Sequence, residues 1–281
     1  MRALPLHPGA RGLNDDCAVL EVGGETLVIN TDSMAEGTHF RPGSDMAGAD
    51  LGDVAWKLVA SNISDLSAKG AVPMGLLFNH ALGDDDRLFA DSIREACGAF
   101  DVSILGGDTV SVTGPRVFSV TAIGRATYTP VPSRSGAQVG DSVYVTGILG
   151  EAMLGFEGQE QHALAFNRPM PRLVEGRTLA PLVTAMMDIS DGLLLDAFRM
   201  AEASEMTFAI DGENVPVADT DRREECLRWG DDYELLFTLP ANATPPVDCA
   251  QIGTVEPKGF APLILDGHPV VNAQGLGFQH G

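Results

Sequence analysis

Short apolar runs alternate with longer helical patterns along the first half of the chain, and this alternation restricts the folds available to it. Residues 17–22 and 26–30 predict two strands joined at the Gly23-Gly24 turn. Apolar residues then recur at helical spacing between Leu51 and Leu66, which predicts an amphipathic helix. Later patterns predict strands at 74–81, 102–105 and 117–124 and a helix at 86–100. The pattern as a whole indicates an α/β fold.

A turn-rich segment, from Tyr128 to Gly140, separates this half from the rest. We interpret it as the linker between an amino-terminal domain at 1–130 and a carboxyl-terminal domain at 131–281. The second half resumes with predicted strands at 142–146, 207–210, 234–239 and 263–265. The expected fold class is therefore α/β, or α+β, with two domains.

The strong negative charge of the chain limits its partners. The 281 residues include 39 acidic and 18 basic side chains, a net charge of −21, which repels nucleic acid and anionic lipid. No apolar run reaches the roughly 18 residues needed to span a bilayer, and residues 1–8 lack the apolar core of a secretory signal. We therefore expect a cytoplasmic protein without nucleic-acid or membrane partners.

Acidic residues recur in five short motifs at the edges of predicted elements. Asp32 follows the apolar run 26–29, and Asp188 follows a second apolar segment. A carboxylate in such a place is costly unless it is paired or metal-bound. Asn62 and Asp65 share one face of the predicted helix near its carboxyl end, where the helix dipole disfavours negative charge. The motifs are Asn14-Asp15-Asp16, Asn30-Thr31-Asp32, Asn62-Ile63-Ser64-Asp65, Gly106-Gly107-Asp108 and Asp188-Ile189-Ser190-Asp191-Gly192.

The combination of these oxygen ligands points to a divalent cation. Magnesium prefers oxygen and is usually shared between carboxylates and substrate phosphates, so phosphoryl transfer is the reaction class that the motifs favour. Neither a G-x-x-x-x-G-K-[ST] loop nor the H-R-D and D-F-G pair of protein kinases occurs. A nucleotide would therefore have to bind through a different arrangement.

Each motif taken singly has an ordinary alternative. A lone Asp at a strand end more often caps a turn or a helix. Gly106-Gly107-Asp108 fits a plain turn as well as a close backbone approach to a phosphate. Arg134 alone fits a linker arginine in solvent, and His39 alone fits a hydrogen-bonded structural histidine.

Read together and in order, the motifs resemble the thiamine-monophosphate kinase family, which belongs to a larger group with aminoimidazole ribonucleotide synthetase and selenophosphate synthetase. The most specific stretch is Asn30–Phe40 (NTDSMAEGTHF), similar to the family signature T-D-x-x-x-x-G-x-H-F. A second is Ala60–Gly70 (ASNISDLSAKG). The motifs that follow in the family's order are Leu105–Thr109, Ser133–Gly136, Arg168–Arg172, Asp188–Leu193 and Gly230–Leu235.

The resemblance implies a two-domain fold of the aminoimidazole ribonucleotide synthetase type, whose amino-terminal domain dimerises through its sheet. It implies a cleft in which several magnesium ions assist direct in-line transfer of the ATP γ-phosphate to thiamine monophosphate, giving thiamine diphosphate. The expected partners are ATP, thiamine monophosphate and a second copy of the chain. A phosphate acceptor is already ionised near neutral pH, so the expected catalytic tasks are positioning and charge neutralisation.

The resemblance also implies roles for individual positions. Asp32 and Asp108 would act in catalysis through metal. The ATP contacts would be Gly107, Asp108, Arg134 and Ser190. The substrate contacts would be His39, Asp231 and Phe278. The metal ligands would be Asp16, Asn30, Thr31, Asp32, Asp65, Asp108, Asp188 and Asp191.

Two positions and the carboxyl end depart from the family pattern. Asn14 stands where the first motif usually has glycine, and Asp231 stands where the family has the longer glutamate. The carboxyl end has fewer aromatic residues than is usual, which leaves Phe278 as the stacking candidate for the thiamine ring.

Two rival functions stay open. Another ATP-dependent synthetase of the group, such as selenophosphate synthetase, would share the cleft. That family carries a reactive cysteine near its amino terminus, whereas Cys17 is expected to be buried in the first strand. The second rival is a non-catalytic homologue that binds nucleotide or metal, and the complete set of carboxylates argues against it.

Overall fold

The computed structural model describes residues 4–40 and 50–279. These residues form two β-sheets with helices packed against them. Residues 1–3, part of the amino-terminal segment considered above, lie outside the described residues. None of the described helices combines the length and the apolar character that a membrane span needs.

Five of the described strands form the amino-terminal sheet, in the order β1-β2-β5-β3-β4. Neighbouring strands run antiparallel except for the parallel pair β3 and β4. The strands are β1 (Ala18–Val22), β2 (Glu25–Ala35), β3 (Ala71–Ala81), β4 (Ile104–Val110) and β5 (Val117–Ala126). The helices of this half are α1 (Leu51–Ala68) and α2 (Asp86–Ala99).

Seven further strands form the carboxyl-terminal sheet, in the order β12-β11-β8-β10-β6-β9-β7, among the residues that the structure describes. The strands are β6 (Ser142–Val145), β7 (Ala185–Asp188), β8 (Thr207–Ile210), β9 (Leu235–Leu239), β10 (Ala250–Glu256), β11 (Leu263–Leu265) and β12 (His268–Val270). The helices are α3 (Glu151–Phe156), α4 (Ala163–Asn167), α5 (Leu173–Leu179), α6 (Leu193–Ser204) and α7 (Arg223–Arg228).

One face of the amino-terminal sheet forms a core with α1 and α2. Alternate residues of each strand point to this face, and Val28, Leu76, Phe118 and Val120 are buried there. Phe118 packs against Phe89 of α2 with ring centroids 4.7 Å apart. On β2, β3 and β5 the residues that point to the opposite face are more exposed. Within the described chain, no layer covers that face.

Helix α1 contributes to the cores of both domains. Leu58 and Ile63 pack into the amino-terminal core. Ala68, at its carboxyl end, belongs instead to a cluster that contains Leu179 of α5 and Met186 of β7. The helix therefore fixes the position of one sheet relative to the other.

Strand β2 extends further than its apolar run. It continues to Ala35 because its polar half pairs with β5, with Asp32 opposite Val120 and Ser33 opposite Ser119. Asp32 therefore lies inside a strand and not, as its sequence context predicted, after one. Backbone pairing holds this carboxylate in a fixed register.

Strand β4 begins two residues later than predicted and runs through Gly106-Gly107-Asp108. Of the two alternatives for this motif, the plain turn is wrong, since the motif pairs in parallel with β3. A Cβ atom at Gly107 would lie 2.0 Å from the Phe78 carbonyl oxygen, so glycine is what permits this close pairing.

The segment at 128–140 contains no helix or strand in the structure, as the linker interpretation expects. It is nevertheless fixed to the fold, because Val131 and Ala137 are buried and Arg11 donates hydrogen bonds to the carbonyl oxygens of Val131 and Pro132. The domain limits 1–130 and 131–281 stay a prediction.

The contact between α1 and α5 gives a test of the interdomain packing. A Cβ atom at Gly176 would lie 2.0 Å from the Ser67 carbonyl oxygen of α1. We expect Gly176→Ala to lower the free energy of unfolding by about 1–3 kcal/mol, because the two helices must move apart. The measurement is denaturant unfolding.

The matched control for this substitution is Gly98→Ala in α2, where a Cβ atom would meet nothing within 4 Å. This change should raise the free energy of unfolding by up to about 1 kcal/mol, because alanine has the higher helix propensity. Equal effects of the two substitutions would contradict the proposed close contact.

Candidate active site

A cleft of about 680 Å³ opens beside α1 and the loops that follow β7 and α7. Carboxylates dominate one part of its wall, and aromatic side chains dominate another. The acidic lining residues are Asp15, Asp16, Asp32, Asp65, Asp188, Asp191 and Asp231. The aromatic ones are Phe156, Phe166, Trp229, Tyr233 and Phe278. The basic ones are Lys57, Arg134 and Arg228.

Three of the predicted metal ligands come together at the acidic end of this cleft. Asp16, Asp65 and Asp188 each offer a carboxylate oxygen, and the three oxygens lie within 4.8 Å of one another. They come from the segment before β1, from α1 and from the end of β7. The fold therefore brings residues that are far apart in the sequence together at one point.

The buried amide of Asn62 positions two other predicted ligands. Its Oδ1 accepts hydrogen bonds from Asn30 Nδ2 at 3.1 Å and from the Asp32 amide at 3.2 Å. Asn30 Nδ2 also donates to Asp65 Oδ2 at 2.8 Å. Asn62 itself is held by donation to the Leu58 carbonyl oxygen, one turn earlier in α1. Helix α1 thus orients the acidic half of β2.

Burial raises the pKa of several of these carboxyl groups. The pKa of Asp188 rises to about 7, mainly because the group is desolvated and secondly because Asp16 lies nearby. The pKa of Asp65 rises well above its usual range through burial and the charges of Asp188 and Asp32. Burial likewise raises the pKa of Asp32. Bound protons or cations are therefore more favourable in this cluster than a set of ionised carboxylates with no compensating charge.

A buried group of ion pairs lies directly beside the cluster. Lys69 Nζ lies 2.6 Å from Asp15 Oδ1 and 2.6 Å from Asp16 Oδ2. Arg134 forms an ion pair with the other oxygen of Asp16, and Arg11 forms one with Asp15 at 2.6 Å. Arg134 is therefore held against an acidic residue of the cleft, and the alternative of a linker arginine in solvent was wrong.

The loop after β7 places Ser190 and Asp191 on the cleft wall. The buried carboxylate of Asp196, in the first turn of α6, accepts hydrogen bonds from the Ser190 and Asp191 amides at 3.1 and 3.0 Å. Arg199 forms ion pairs with both Asp191 and Asp196. Burial, followed by the charge of Asp191, raises the pKa of Asp196 to about 7.

Asp188 is tied to α1 across the domain boundary. Its Oδ2 accepts a hydrogen bond from the Ser64 hydroxyl at 2.6 Å. Both residues are buried. The carboxyl-terminal domain therefore contributes a cluster ligand whose position is set by the amino-terminal helix.

At the aromatic end of the cleft, Asp231 forms an ion pair with Lys57, whose Nζ lies 2.6 Å from Oδ2. The same ammonium group sits 3.7 Å from the centroid of the Phe166 ring. Tyr233 donates a hydrogen bond to Asp231 Oδ1 at 3.1 Å. The predicted substrate residue Asp231 is thus fixed next to an aromatic surface.

His39 and Phe278, the other predicted substrate residues, also line the cleft. His39 Nδ1 accepts a hydrogen bond from the Ala35 amide at 3.0 Å, which orients its ring. Phe156 packs against Trp229 with ring centroids 5.0 Å apart and extends the aromatic wall. Planar ligand groups could stack at this end of the cleft.

Four predicted site residues do not line the cleft of this chain, namely Asn30, Thr31, Gly107 and Asp108. Gly107 and Asp108 lie on the edge strand β4, separated from Asp32 on β2 by strands β5 and β3. The Thr31 hydroxyl donates to the Val120 carbonyl oxygen at 2.9 Å, and Thr31 alternates with Asp32 to the opposite face of the sheet. Their roles stay predictions.

Sequence reasoning missed four residues that shape the site, namely Lys57, Lys69, Asp196 and Arg199. Lys57 and Lys69 flank Asn62 and Asp65 on α1, and Asp196 and Arg199 follow the DISDG motif by one helical turn or two. Their spacing from the motifs was a usable signal. The partners of Lys57 and Lys69 were not, because those partners lie far away in the sequence. Asp196 and Arg199, by contrast, have their partners within eight residues.

The residues of the acidic end fit a divalent cation. The Oδ1 of Asn30 is buried and accepts no hydrogen bond from the described residues, and both carboxylate oxygens of Asp16 are buried and contacted by the cations of Lys69 and Arg134. Together with Asp65 and Asp188 they form an all-oxygen donor set, which is the set that magnesium prefers.

Comparison with known proteins shows the family of this chain. The family model for AIR synthase related protein matches with its N-terminal domain at residues 14–126 and with its C-terminal domain at 138–260. Thiamine-monophosphate kinase of Escherichia coli K12 is 34% identical over 295 residues, which cover 92% of this chain and 88% of the relative. This chain belongs to the thiamine-monophosphate kinase family. The resemblance drawn from its motifs is confirmed.

Solved structures of the thiamine-monophosphate kinase family share the fold. A structure described as AaThiL complexed with AMPPCP and TMP matches with a TM-score of 0.81 at 28% identity, over 95% of this chain and 96% of that one. Thiamine-monophosphate kinase of Stenotrophomonas maltophilia K279a matches with a TM-score of 0.76 at 29% identity, over 93% and 95%. The predicted two-domain fold of the aminoimidazole ribonucleotide synthetase type is thereby confirmed.

The raised pKa values predict how the stability of the metal-free chain depends on pH. Asp188 and Asp196 keep their protons up to about pH 7 when folded, whereas an unfolded carboxyl group loses its proton near about pH 4. The folded state therefore binds more protons in this interval, and stability is lost as pH rises. We expect the melting temperature to fall between about pH 4 and pH 7 and to level off above that interval.

Differential scanning calorimetry in the presence of a chelator measures this dependence. Asp188→Asn should show a shallower slope, because it removes one of the titrating groups without changing its shape. A melting temperature that rises with pH across the same interval would show that these carboxyl groups are ionised when buried.

Proposed function

We propose that this chain is a thiamine-monophosphate kinase, which transfers the γ-phosphate of ATP directly to thiamine monophosphate and yields thiamine diphosphate and ADP. The observation that carries the proposal is the convergence of Asp16, Asp65 and Asp188 in the same cleft as an aromatic wall. Membership of the family and the relative in complex with AMPPCP and TMP support it. We also propose a cytoplasmic location for this activity.

Magnesium would be held by the acidic end of the cleft. The proposed ligands are Asp16, Asn30, Thr31, Asp32, Asp65, Asp108, Asp188 and Asp191. The side chain of Thr31 lies on the opposite face of the sheet from Asp32, so Thr31 would have to bind magnesium through its main chain or on that opposite face. Bound magnesium neutralises phosphate oxygens and so lets two anionic substrates approach each other.

The other residues of the cleft bind and orient the substrates. Arg134 and Ser190 are proposed to contact ATP, together with Gly107 and Asp108. His39 and Asp231 are proposed to contact thiamine monophosphate, and Phe278 to stack on its ring. The acceptor phosphate is already ionised, so the residues need only hold it in line with the γ-phosphate, and no side chain has to serve as a strong base.

A homodimer would explain how Gly107 and Asp108, which lie away from the cleft of their own chain, can still act in an active site. Large apolar side chains are exposed around this motif on three strands of one sheet, namely Leu77, Ile104, Leu105 and Val117. Exposed apolar patches of this kind mark protein interfaces. We propose that two copies pair through this sheet and that Gly107 and Asp108 of one copy serve the cleft of the other.

The catalytic proposal is tested with Asp32→Asn in a coupled assay for thiamine diphosphate. The substitution removes a charge from the metal site, so turnover should fall on the order of 100-fold or more. The control is Asp248→Asn, which changes an exposed aspartate elsewhere and should leave turnover unchanged. Full activity of Asp32→Asn with an unaltered melting temperature would contradict its assigned role.

The shared site is tested by mixing two inactive variants, Asp32→Asn and Asp108→Asn, after unfolding and refolding them together. If Asp108 acts on the partner's cleft, half of the mixed dimers' sites are intact, and random pairing should restore about a quarter of the wild-type activity. If Asp108 acts within its own chain, no activity returns. Light scattering on the wild type checks that the protein is a dimer.

The synthetase alternative is not supported by the site. It needs an accessible cysteine thiolate near the amino terminus. Cys17 is only 3% exposed, and burial followed by the charge of Asp65 raises its pKa well above the usual range. The non-catalytic alternative is separated from the kinase by the coupled assay.

A further inference from the structure

Lys69 is a fully buried cation that the proposed reaction does not use. The residue ends α1, and its whole side chain is inaccessible to solvent, with 0% exposure. It does not belong to the cleft lining. A group that cannot reach a substrate can affect the site only through the residues that it touches.

The contacts of Lys69 satisfy its ammonium group completely. Nζ lies 2.6 Å from Asp15 Oδ1, 2.6 Å from Asp16 Oδ2 and 3.2 Å from the Met186 carbonyl oxygen. An ammonium group has three N–H donors, and it faces three acceptors here. Lysine is almost never fully buried unless it is paired in this way.

One of these contacts links Lys69 to the acidic cluster. Asp16 belongs to the triad whose oxygens lie within 4.8 Å of one another, and the same carboxylate touches Lys69 and Arg134. A lysine ammonium and a divalent ion would thus share Asp16. The other contact, Asp15, lies next to Asp16 and is paired with Arg11.

We propose that Lys69 is a built-in cation that offsets the charge of Asp16 and the cluster when no metal is bound. It acts on the cleft only through Asp16. The inference rests on the proposed function only in taking Asp16 as a magnesium ligand. Two consequences follow: the metal-free chain depends on Lys69 for stability, and Lys69 competes with magnesium for Asp16.

The test uses the full chain, magnesium chloride alone and no substrate, at mildly alkaline pH. Lys69→Met removes the charge with little change in length. Lys69→Gln removes the charge and keeps a donor, and it carries the same test if the first variant does not fold. We expect a lower melting temperature than wild type without magnesium, and a larger rise when magnesium is added.

Isothermal titration calorimetry measures the second consequence. Without the competing charge on Asp16, the dissociation constant for magnesium should fall about tenfold, because one positive charge has been removed within a few ångströms of the ion. The control is Arg11→Met, which removes a cation that contacts Asp15 and not Asp16. It should lower the melting temperature but leave the magnesium affinity unchanged.

The outcomes separate this inference from the kinase proposal. If the Lys69 variants bind magnesium as the wild type does, with the same rise in melting temperature, Lys69 is only structural and the inference fails, while the magnesium site stands. If the wild type itself shows no response to magnesium, the cluster does not bind the ion without substrate, Lys69 has no metal to compete with, and the inference fails. Thiamine diphosphate formation, measured separately, bears on the kinase proposal alone.

Discussion

Carboxylates brought together away from water repel one another, and the fold must offset that repulsion before any substrate arrives. Asp16, Asp65 and Asp188 meet within 4.8 Å, and protons, buried cations or metal ions are the means of neutralising them. The structure uses the first two at once. Asp188 and Asp65 hold their protons more tightly than usual, while Asp16 is paired with Lys69 and Arg134.

Helix α1 organises this balance of charge because it is shared by both domains. Its apolar side chains fill two cores, and several of its buried polar side chains fix parts of the cleft. Asn62 holds β2, Ser64 holds β7, and Lys69 holds the segment before β1. One element therefore sets the positions of ligands that arrive from three directions.

The sequence predicted the main helices and several of the clustered carboxylates, but it missed the polar half of β2 and the partners of the buried cations. Apolar periodicity located α1 and α2, because burial of one helix face leaves a local pattern. The polar half of β2 could not be found in that way, since pairing with β5 and not apolar content makes it a strand. The motifs identified Asp65 and Asp188, but the partners of Lys57 and Lys69 depend on tertiary contacts that no local pattern records.

The hydrogen bond between Ser64 and Asp188 has a consequence for how the cleft opens. It joins the two domains where Asp188 lines the cleft, and Gly176 lets the backbones of α1 and α5 pack in contact. A hinge motion between the domains would have to break a buried hydrogen bond and separate packed backbones. The two domains therefore resist opening at the acidic end of the cleft, and access for nucleotide and product depends on other parts of its wall.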